Sequence, residues 1–240
     1  LRDQHSKKTV RSPGASEVGM AIQIRGLEVR FRDTRGNDVP VLDVKQLDLE
    51  DGRRVCLVGG SGSGKTTLLH VLAGIVTPTK GEVRYGDVDI TKLAEAERDR
   101  FRAKNVGYVF QSFNLLQGLS ALENVAIAGT FGGQGAHEAR DRATKLLERV
   151  GLSHRTDARP GTMSVGEQQR VGIARALVNR PKVVLADEPT ASLDDERADE
   201  VLALLEEVVK EEKATLVLVT HEQRVRERFT DVLDLKELGR

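Results

Sequence analysis

From Ala21 the apolar side chains fall on alternate positions, Ile22 and Ile24, then Leu27, Val29 and Phe31, a period of two that predicts a strand. A polar turn at Arg32–Asp38 separates it from a second strand over Val41–Leu49, and Glu50-Asp51-Gly52 turns the chain again. Arg54–Val58 is short, apolar and β-branched, the pattern of a buried strand, and Leu68–Ala73 is an apolar helix. After a break at Thr77-Pro78-Thr79-Lys80-Gly81 come strand candidates at Glu82–Tyr85 and Val88–Ile90. A charged helix over Leu93–Ala103 and a strand over Val106–Phe110, ending at Gln111, follow. Residues 112–165 change character. They hold a loop with Phe113, Leu115 and Leu116, a helix over Ala121–Phe131, a Gly132-Gly133-Gln134-Gly135 hinge, and a helix over Glu138–Val150. That last helix carries Ala143, Leu146, Leu147 and Val150 on one face. The alternation then resumes with a helix over Val165–Val178, closed by Pro181, and a strand over Val183–Ala186. A helix over Glu196–Glu211 and strands over Thr215–Val219 and Val232–Leu235 complete it. Repeated strand–helix units predict an α/β fold with a mostly parallel sheet covered on both faces, and the helical stretch 112–165 reads as an inserted lobe.

Composition narrows this picture. The 240 residues carry 37 Lys plus Arg against 37 Asp plus Glu, so no charge excess draws the chain to nucleic acid. No apolar run reaches the roughly 18–20 residues that span a bilayer, so work at a membrane requires another chain to do the spanning. The single cysteine, Cys56, falls in the Arg54–Val58 strand and reads as a core residue of a protein kept in a reducing compartment. Residues 1–19 are polar, without apolar period or signal-peptide core, and read as a disordered tail ahead of a start at Met20.

The chemistry concentrates between the third strand and the helix that follows it, at Gly59-Gly60-Ser61-Gly62-Ser63-Gly64-Lys65-Thr66-Thr67. Strand, glycine-rich turn and helix with G-x-x-x-x-G-K-[ST] across the turn is the context of a phosphate-binding loop. Glycines let successive N–H groups point inward at phosphate oxygens, and the helix N-terminus adds its partial positive charge. Lys65 is placed for the β- and γ-phosphates and the Thr66 hydroxyl for Mg²⁺, so the chain is expected to bind a nucleoside triphosphate.

Three further stretches belong with it. Val183–Ala186 runs into Asp187 and Glu188, two carboxylates at the carboxyl end of an apolar strand, where ligands sit in parallel α/β folds. Asp187 suits Mg²⁺, and Glu188 suits the polarisation of a water that attacks the γ-phosphate. Ser164 and Glu167 form S-x-x-E ahead of an apolar helix. That is a capping box; with Gly166 it is equally a second phosphate cradle, and a second cradle in one chain implies another molecule's nucleotide. Gly59, Gln111, Glu188 and His221 each follow a predicted strand, which suggests that they meet at one edge of the sheet. Phe31 admits two roles, a core residue or a stacking platform for a base.

Together these stretches resemble the nucleotide-binding subunit of an ABC transporter over about residues 20–240. Gly59–Thr67 resembles the Walker A loop, Val183–Glu188 the Walker B strand with its catalytic glutamate, and Gln111 the Q-loop. Met163–Gln168 resembles the signature motif, Ser192-Leu193-Asp194 the D-loop, His221 the switch histidine, and Phe31 the aromatic A-loop residue. The sequences around Thr77–Gly81, Leu119–Val125 and Leu185–Thr190 look most like the LolD/MacB/FtsE branch. The resemblance implies a RecA-like P-loop NTPase core (20–111 and 166–240) with a mostly parallel sheet, an N-terminal antiparallel β subdomain and an inserted helical subdomain (112–165). It implies ATP and Mg²⁺, the latter held by Thr66, Gln111 and Asp187, with catalysis by Glu188, His221 and Lys65. A second ABC ATPase subunit, as a homodimer, would add Ser164, Val165, Gly166 and Glu167 to each ATP. An integral membrane permease would place the chain on the cytoplasmic side of the cell membrane, in export or lipoprotein release. Val165 departs from the family, where the first signature glycine usually lies; a β-branched residue there is expected to resist φ > 0 and to crowd the dimer seam. Two other readings stand beside this one. A soluble ABC-type ATPase is disfavoured by the single cassette and by the absence of a heptad run between Lys65 and Asp187. A degenerate regulatory subunit is disfavoured by the intact Lys65, Glu188 and His221.

Overall fold

The computed structural model describes residues 20–239; the tail expected over residues 1–19 lies outside the described residues. Strand β1 (Ile22–Arg32) pairs antiparallel with β2 (Asp38–Leu49) and, on its other side, with β4 (Lys80–Tyr85), which pairs with β5 (Val88–Asp89). The sheet order is β2-β1-β4-β5, the antiparallel β subdomain that the resemblance implied. The slip of apolar phase from Ile24 to Leu27 has a structural cause. Pairing with β4 shifts register between Arg25 and Glu28, where Gly26 takes φ +56°. Opposite it Gly81 takes φ +87°, and a β-carbon there would stand 2.4 Å from the Gly26 carbonyl oxygen, so only glycine permits the crossing. Ile22, Ile24, Leu27 and Val29 are then all buried despite the change of phase.

The second sheet is parallel throughout, β3 (Arg54–Val58), β6 (Val106–Val109), β7 (Val183–Asp187), β8 (Thr215–Val219) and β9 (Asp231–Asp234) in the order β6-β7-β8-β3-β9. Strand alternation divides its side chains between two cores. Val55, Leu57, Val183, Leu185, Val217 and Val219 pack with the antiparallel sheet and helix α1 (Lys65–Leu72). Cys56, Val184, Ala186, Leu216 and Leu218 pack against α5 (Val165–Leu177) and α6 (Asp195–Glu211). Each such side chain removed from water is worth about 1.5–3 kcal/mol, so both coverings are held by apolar burial. Burial also pushes the Cys56 thiol up to about 11, which leaves it a core residue.

Helices α3 (Ala121–Phe131) and α4 (Ala136–Arg149) occupy the stretch expected to be helical, and Val125, Ala143, Leu146 and Leu147 join the core under α5. A complete capping box, Ser120 with Glu123, starts α3. The charged helix α2 (Glu95–Asn105) begins two residues after its expected start. Helices α7 (Gln223–Arg226) and α8 (Leu235–Leu238) and the 3-10 turns at Ser153–Arg155 and Pro160–Thr162 were not expected, and Leu235 opens α8 instead of closing the last strand. At three or four residues these elements are too short to show a helical period.

Candidate active site

Strands β3, β6, β7 and β8 are parallel and in close register, Leu57 and Asp187 both lying opposite Val219 and Val109 opposite Ala186. Their carboxyl ends therefore open onto one edge, and Gly59, Gln111, Glu188 and His221 all issue from it. The phosphate loop curls there. Gly59, Gly62 and Gly64 take φ +158°, +71° and +95°. The Ser63 amide donates to the Gly60 carbonyl at 3.2 Å, and the Leu68 amide to the Gly64 carbonyl at 2.8 Å. Lys65 Nζ donates to the carbonyls of Gly59 (2.9 Å) and Gly60 (3.1 Å), which sets its ammonium over the loop. Ser63 Oγ is buried without a hydrogen-bond partner inside the curl.

Asp187 ends β7 on the face shared with Val183 and Leu185, toward α1, and is buried. Burial raises its pKa above the ordinary 3.8, and Glu188 adds to the rise; the Thr66 hydroxyl, His70 and Lys65 pull the other way. Its Oδ1 is buried with no hydrogen-bond partner. An anionic oxygen orphaned beside a threonine hydroxyl fits a hydrated divalent cation, whose charge would offset the desolvation.

Glu188 holds a left-handed backbone, φ +45°, with its amide donating to the Val219 carbonyl at 3.0 Å. That is a strained conformation for a side chain of this size, held by the neighbouring strand. Its Oε1 stands 2.8 Å from His221 Nδ1, and its Oε2 accepts from the His221 amide at 3.3 Å. The hydrogen bond to Glu188, and then its charge, raise the pKa of His221. A cavity of about 620 Å³ opens beside the pair, between Gly59, Thr220, His221, Gln223 and Arg226.

The remaining expected site residues lie on other elements or beyond β6. Ser164 caps α5 as foreseen, Oγ accepting from the Glu167 amide at 3.2 Å and Glu167 Oε2 accepting from the Ser164 amide at 2.7 Å. Glu167 also pairs with Arg155 at 3.0 Å; the described hydrogen bonds of this cap do not reach the chain's own phosphate loop. Val165 opens α5 outside the left-handed region and is 41 % exposed. The expected backbone conflict at Val165 is thus absent, because the first helical position needs no φ > 0. Asp194 caps α6, accepting from the Arg197 amide at 3.1 Å. Phe31 is 46 % exposed, which removes its core reading. A second register shift in β1, between Val29 and Arg30, pairs Val29 with Leu42 and Arg30 with Pro40, leaving Val41 as the extra residue of β2. Gln111 is exposed just beyond β6. Arg175 was not foreseen: it donates to the carbonyls of Phe113 (2.6 Å) and Asn114 (2.5 Å) and lies over the Phe110 ring, fastening the loop after Gln111 to α5. A single arginine within a helix gives no sequence signal for such a contact.

Comparison with known proteins agrees with this geometry. The family described as ABC transporter matches residues 42–191. The chain is 43 % identical over 198 residues to the lipoprotein-releasing system ATP-binding protein LolD of Xanthomonas campestris pv. campestris, covering 82 % of this chain and 83 % of that protein. It is 44 % identical to LolD 2 of Caulobacter vibrioides, covering 90 % and 94 %. It is also 43 % identical over 218 residues to the macrolide export ATP-binding/permease protein MacB of Rhodopirellula baltica, covering 90 % of this chain but only 32 % of MacB, so it spans about a third of that protein. The ATP-binding cassette MJ0796, solved as a dimer in a post-hydrolysis state with ADP and Pi, superposes with a TM-score of 0.82 at 33 % identity, covering 89 % of this chain and 93 % of that one. The fold is shared with that cassette, and the chain belongs to the ABC transporter family, among the ATP-binding proteins of its LolD and MacB branch.

Proposed function

We propose that the chain is the ATP-hydrolysing subunit of an ABC transporter and works as a head-to-tail homodimer with two ATP at its seam. The observation that carries this reading is the separation of the two cradles. The phosphate loop and the Glu188–His221 pair share one sheet edge, whereas among the described residues the side-chain hydrogen bonds and ion pair of the Ser164–Glu167 cap run between Ser164, Glu167 and Arg155. The Glu167 carboxylate caps the Ser164 amide, and the rest of this helix N-terminus, with Ser164 and Val165 exposed, is suited to a second chain's γ-phosphate.

In the mechanism Lys65 leaves its two carbonyls for the β- and γ-phosphates, Ser63 Oγ gains the partner it lacks, and exposed Phe31 stacks on the adenine. Thr66, Asp187 and Gln111 would hold Mg²⁺, which would supply charge neutralisation for the nucleotide's phosphates. Glu188 orients and polarises the attacking water, and His221, hydrogen-bonded to it, reports the γ-phosphate to the seam. The phosphate bridges the subunits, so ATP closes the dimer and hydrolysis releases it through the lost contacts alone.

The permease would dock at a second cavity of about 520 Å³, walled by α2, β6, α3 and α5. Ile75, Tyr108, Phe110 and Phe131 line it, and Phe131 is 73 % exposed. It lies next to Arg175 and hence to the loop after Gln111, the route by which nucleotide state would reach the membrane. None of the helices among the described residues is long and apolar enough to cross a bilayer, so the spanning falls to the permease, which would hold the chain on the cytoplasmic face. The branch favours export or lipoprotein release over solute uptake. Capture from detergent-solubilised membranes with Glu188→Gln as bait and ATP present tests the assignment. A four-helix permease with a large extracytoplasmic domain is the expected partner. A many-span permease with a solute-binding protein would move the reading to import, and no membrane partner would overturn it.

A further inference from the structure

One carboxylate beside the active site ties its own segment, residues 220–224, to the segment after β7. Glu222 Oε1 accepts from Thr190 Oγ1 at 2.7 Å, its Oε2 accepts from Arg224 Nε at 2.9 Å, and its amide donates to Thr220 Oγ1 at 3.0 Å. Arg224 carries the link onward, its guanidinium 2.7 Å from Asp195, the first residue of α6 and the neighbour of the Asp194 cap. Thr190 and Thr220 are buried, and the Glu222 side chain is 19 % exposed against 66 % for His221 beside it. The head of α6 in turn meets the cap of α5: a β-carbon at Gly166 would stand 3.9 Å from Arg197 Cδ and 4.0 Å from Leu193 Cδ2. Hydrogen bonds from the His221 loop through Glu222, and an ion pair from Arg224 to Asp195, therefore lead to the head of α6, which lies beside the helix end offered to the other nucleotide.

We infer that Glu222 is a positioning residue that clasps the His221 loop to residues 190–195, so that the arm sensing one ATP and the cap serving the other move together and the two hydrolytic sites fire cooperatively. The inference rests on the head-to-tail dimer proposed above. Both Glu222 oxygens are used, one by a hydroxyl and one by a guanidinium, which explains the carboxylate. An amide would have to turn its nitrogen to donate to the Thr190 hydroxyl and would offer Arg224 only a neutral oxygen, so what it loses is the charge-assisted bond to the guanidinium. Glu222 lines the cavity beside the Glu188–His221 pair, but both of its carboxylate oxygens are engaged within the protein, by Thr190 and Arg224, so its loss is expected in turnover and cooperativity more than in nucleotide affinity.

The test compares Glu222→Gln, Thr190→Val and Thr190→Ser with the unmodified chain. It reads ATPase rate against ATP concentration, binding of a fluorescent ATP analogue, and ATP-dependent dimerisation in a Glu188→Gln background. Glu222→Gln and Thr190→Val are expected to lower kcat about tenfold and to bring the Hill coefficient from about 2 toward 1, with analogue affinity kept. Thr190→Ser, which restores the hydroxyl, is expected to recover both. An unchanged Hill coefficient in Thr190→Val and Glu222→Gln would overturn the clasp while leaving the dimer intact. So would a parallel loss of affinity and Tm, which marks a merely structural role. Failure of Glu188→Gln alone to dimerise with ATP would overturn the dimer reading first, and the clasp with it.

Discussion

Gly64 is where the antiparallel sheet touches the phosphate loop. It precedes α1 with φ +95° and ψ 10°, and a β-carbon on it would stand 2.6 Å from the Val41 carbonyl oxygen and 3.3 Å from Leu42 Cδ1. Gly64→Ala thus carries two costs. A left-handed backbone costs an alanine about 1–2 kcal/mol. Relieving the contact requires moving β2, a strand held by its pairing with β1, and overpacking of that kind costs about 1–3 kcal/mol. Gly62 is the internal control: it is also left-handed, φ +71°, but nothing lies within 4 Å of its would-be β-carbon, so Gly62→Ala carries only the first cost. At about 2–4 °C per kcal/mol for a chain of this size, Gly64→Ala should melt roughly 2–12 °C below Gly62→Ala, measured by calorimetry without nucleotide. Equal melting temperatures would refute the close approach of β2 to the loop, and with it the placing of exposed Phe31 above the nucleotide.

Three further outcomes follow from the site. Because Glu188 raises the pKa of His221 above its ordinary 6.5, their pair contributes fully below about 6.5 and fades as pH climbs through the raised value. An NMR titration should find the His221 midpoint falling in Glu188→Gln, and an unmoved midpoint would refute the contact. Asp187, whose pKa burial raises above 3.8, costs stability while ionised, a cost relieved as pH falls through the raised value. Asp187→Asn should therefore raise the metal-free Tm at neutral pH and abolish the gain on adding Mg²⁺ with ATP; a lower Tm would contradict the orphaned carboxylate. Arg175→Ala leaves the Phe113 and Asn114 carbonyls unpaired, and amide exchange over residues 112–116 should quicken about 10–100-fold, as expected for losing charged hydrogen bonds worth about 1.5–3 kcal/mol. Exchange unchanged there would show that the loop is held by Asn124 alone, which bonds both polar groups of the Leu116 backbone.

The sheets and the phosphate loop were legible because their signals are local. Apolar alternation marks the strands, glycines mark the loop, and two carboxylates at the end of an apolar strand mark the edge where chemistry happens. The fit of Ser164 with Glu167 was legible for the same reason, since a capping box spans four residues. What was not legible depends on pairs distant in the chain. The two shifts in β1 that bury Leu27 and expose Phe31 are set by Gly81 and by the extra residue Val41, and nothing near Phe31 announces them. The ordinary backbone of Val165 follows from its place as the first residue of α5, which the family pattern of glycine at that site obscured. Arg175 and Glu222 reach across loops that only the folded chain brings together.

The strand order has a consequence for synthesis. In the parallel sheet β3, which launches the phosphate loop, is flanked by β8 and β9, and both come more than 150 residues later in the chain. A nascent chain emerging from the ribosome therefore presents its most glycine-rich, nucleotide-seeking loop on a strand without neighbours until residues 215–234 arrive. Such distant pairings are slow to form and leave an open edge in the interval. On the proposed mechanism hydrolysis therefore waits until most of the domain is made, since His221 comes two residues after β8, and a shorter chain lacks it.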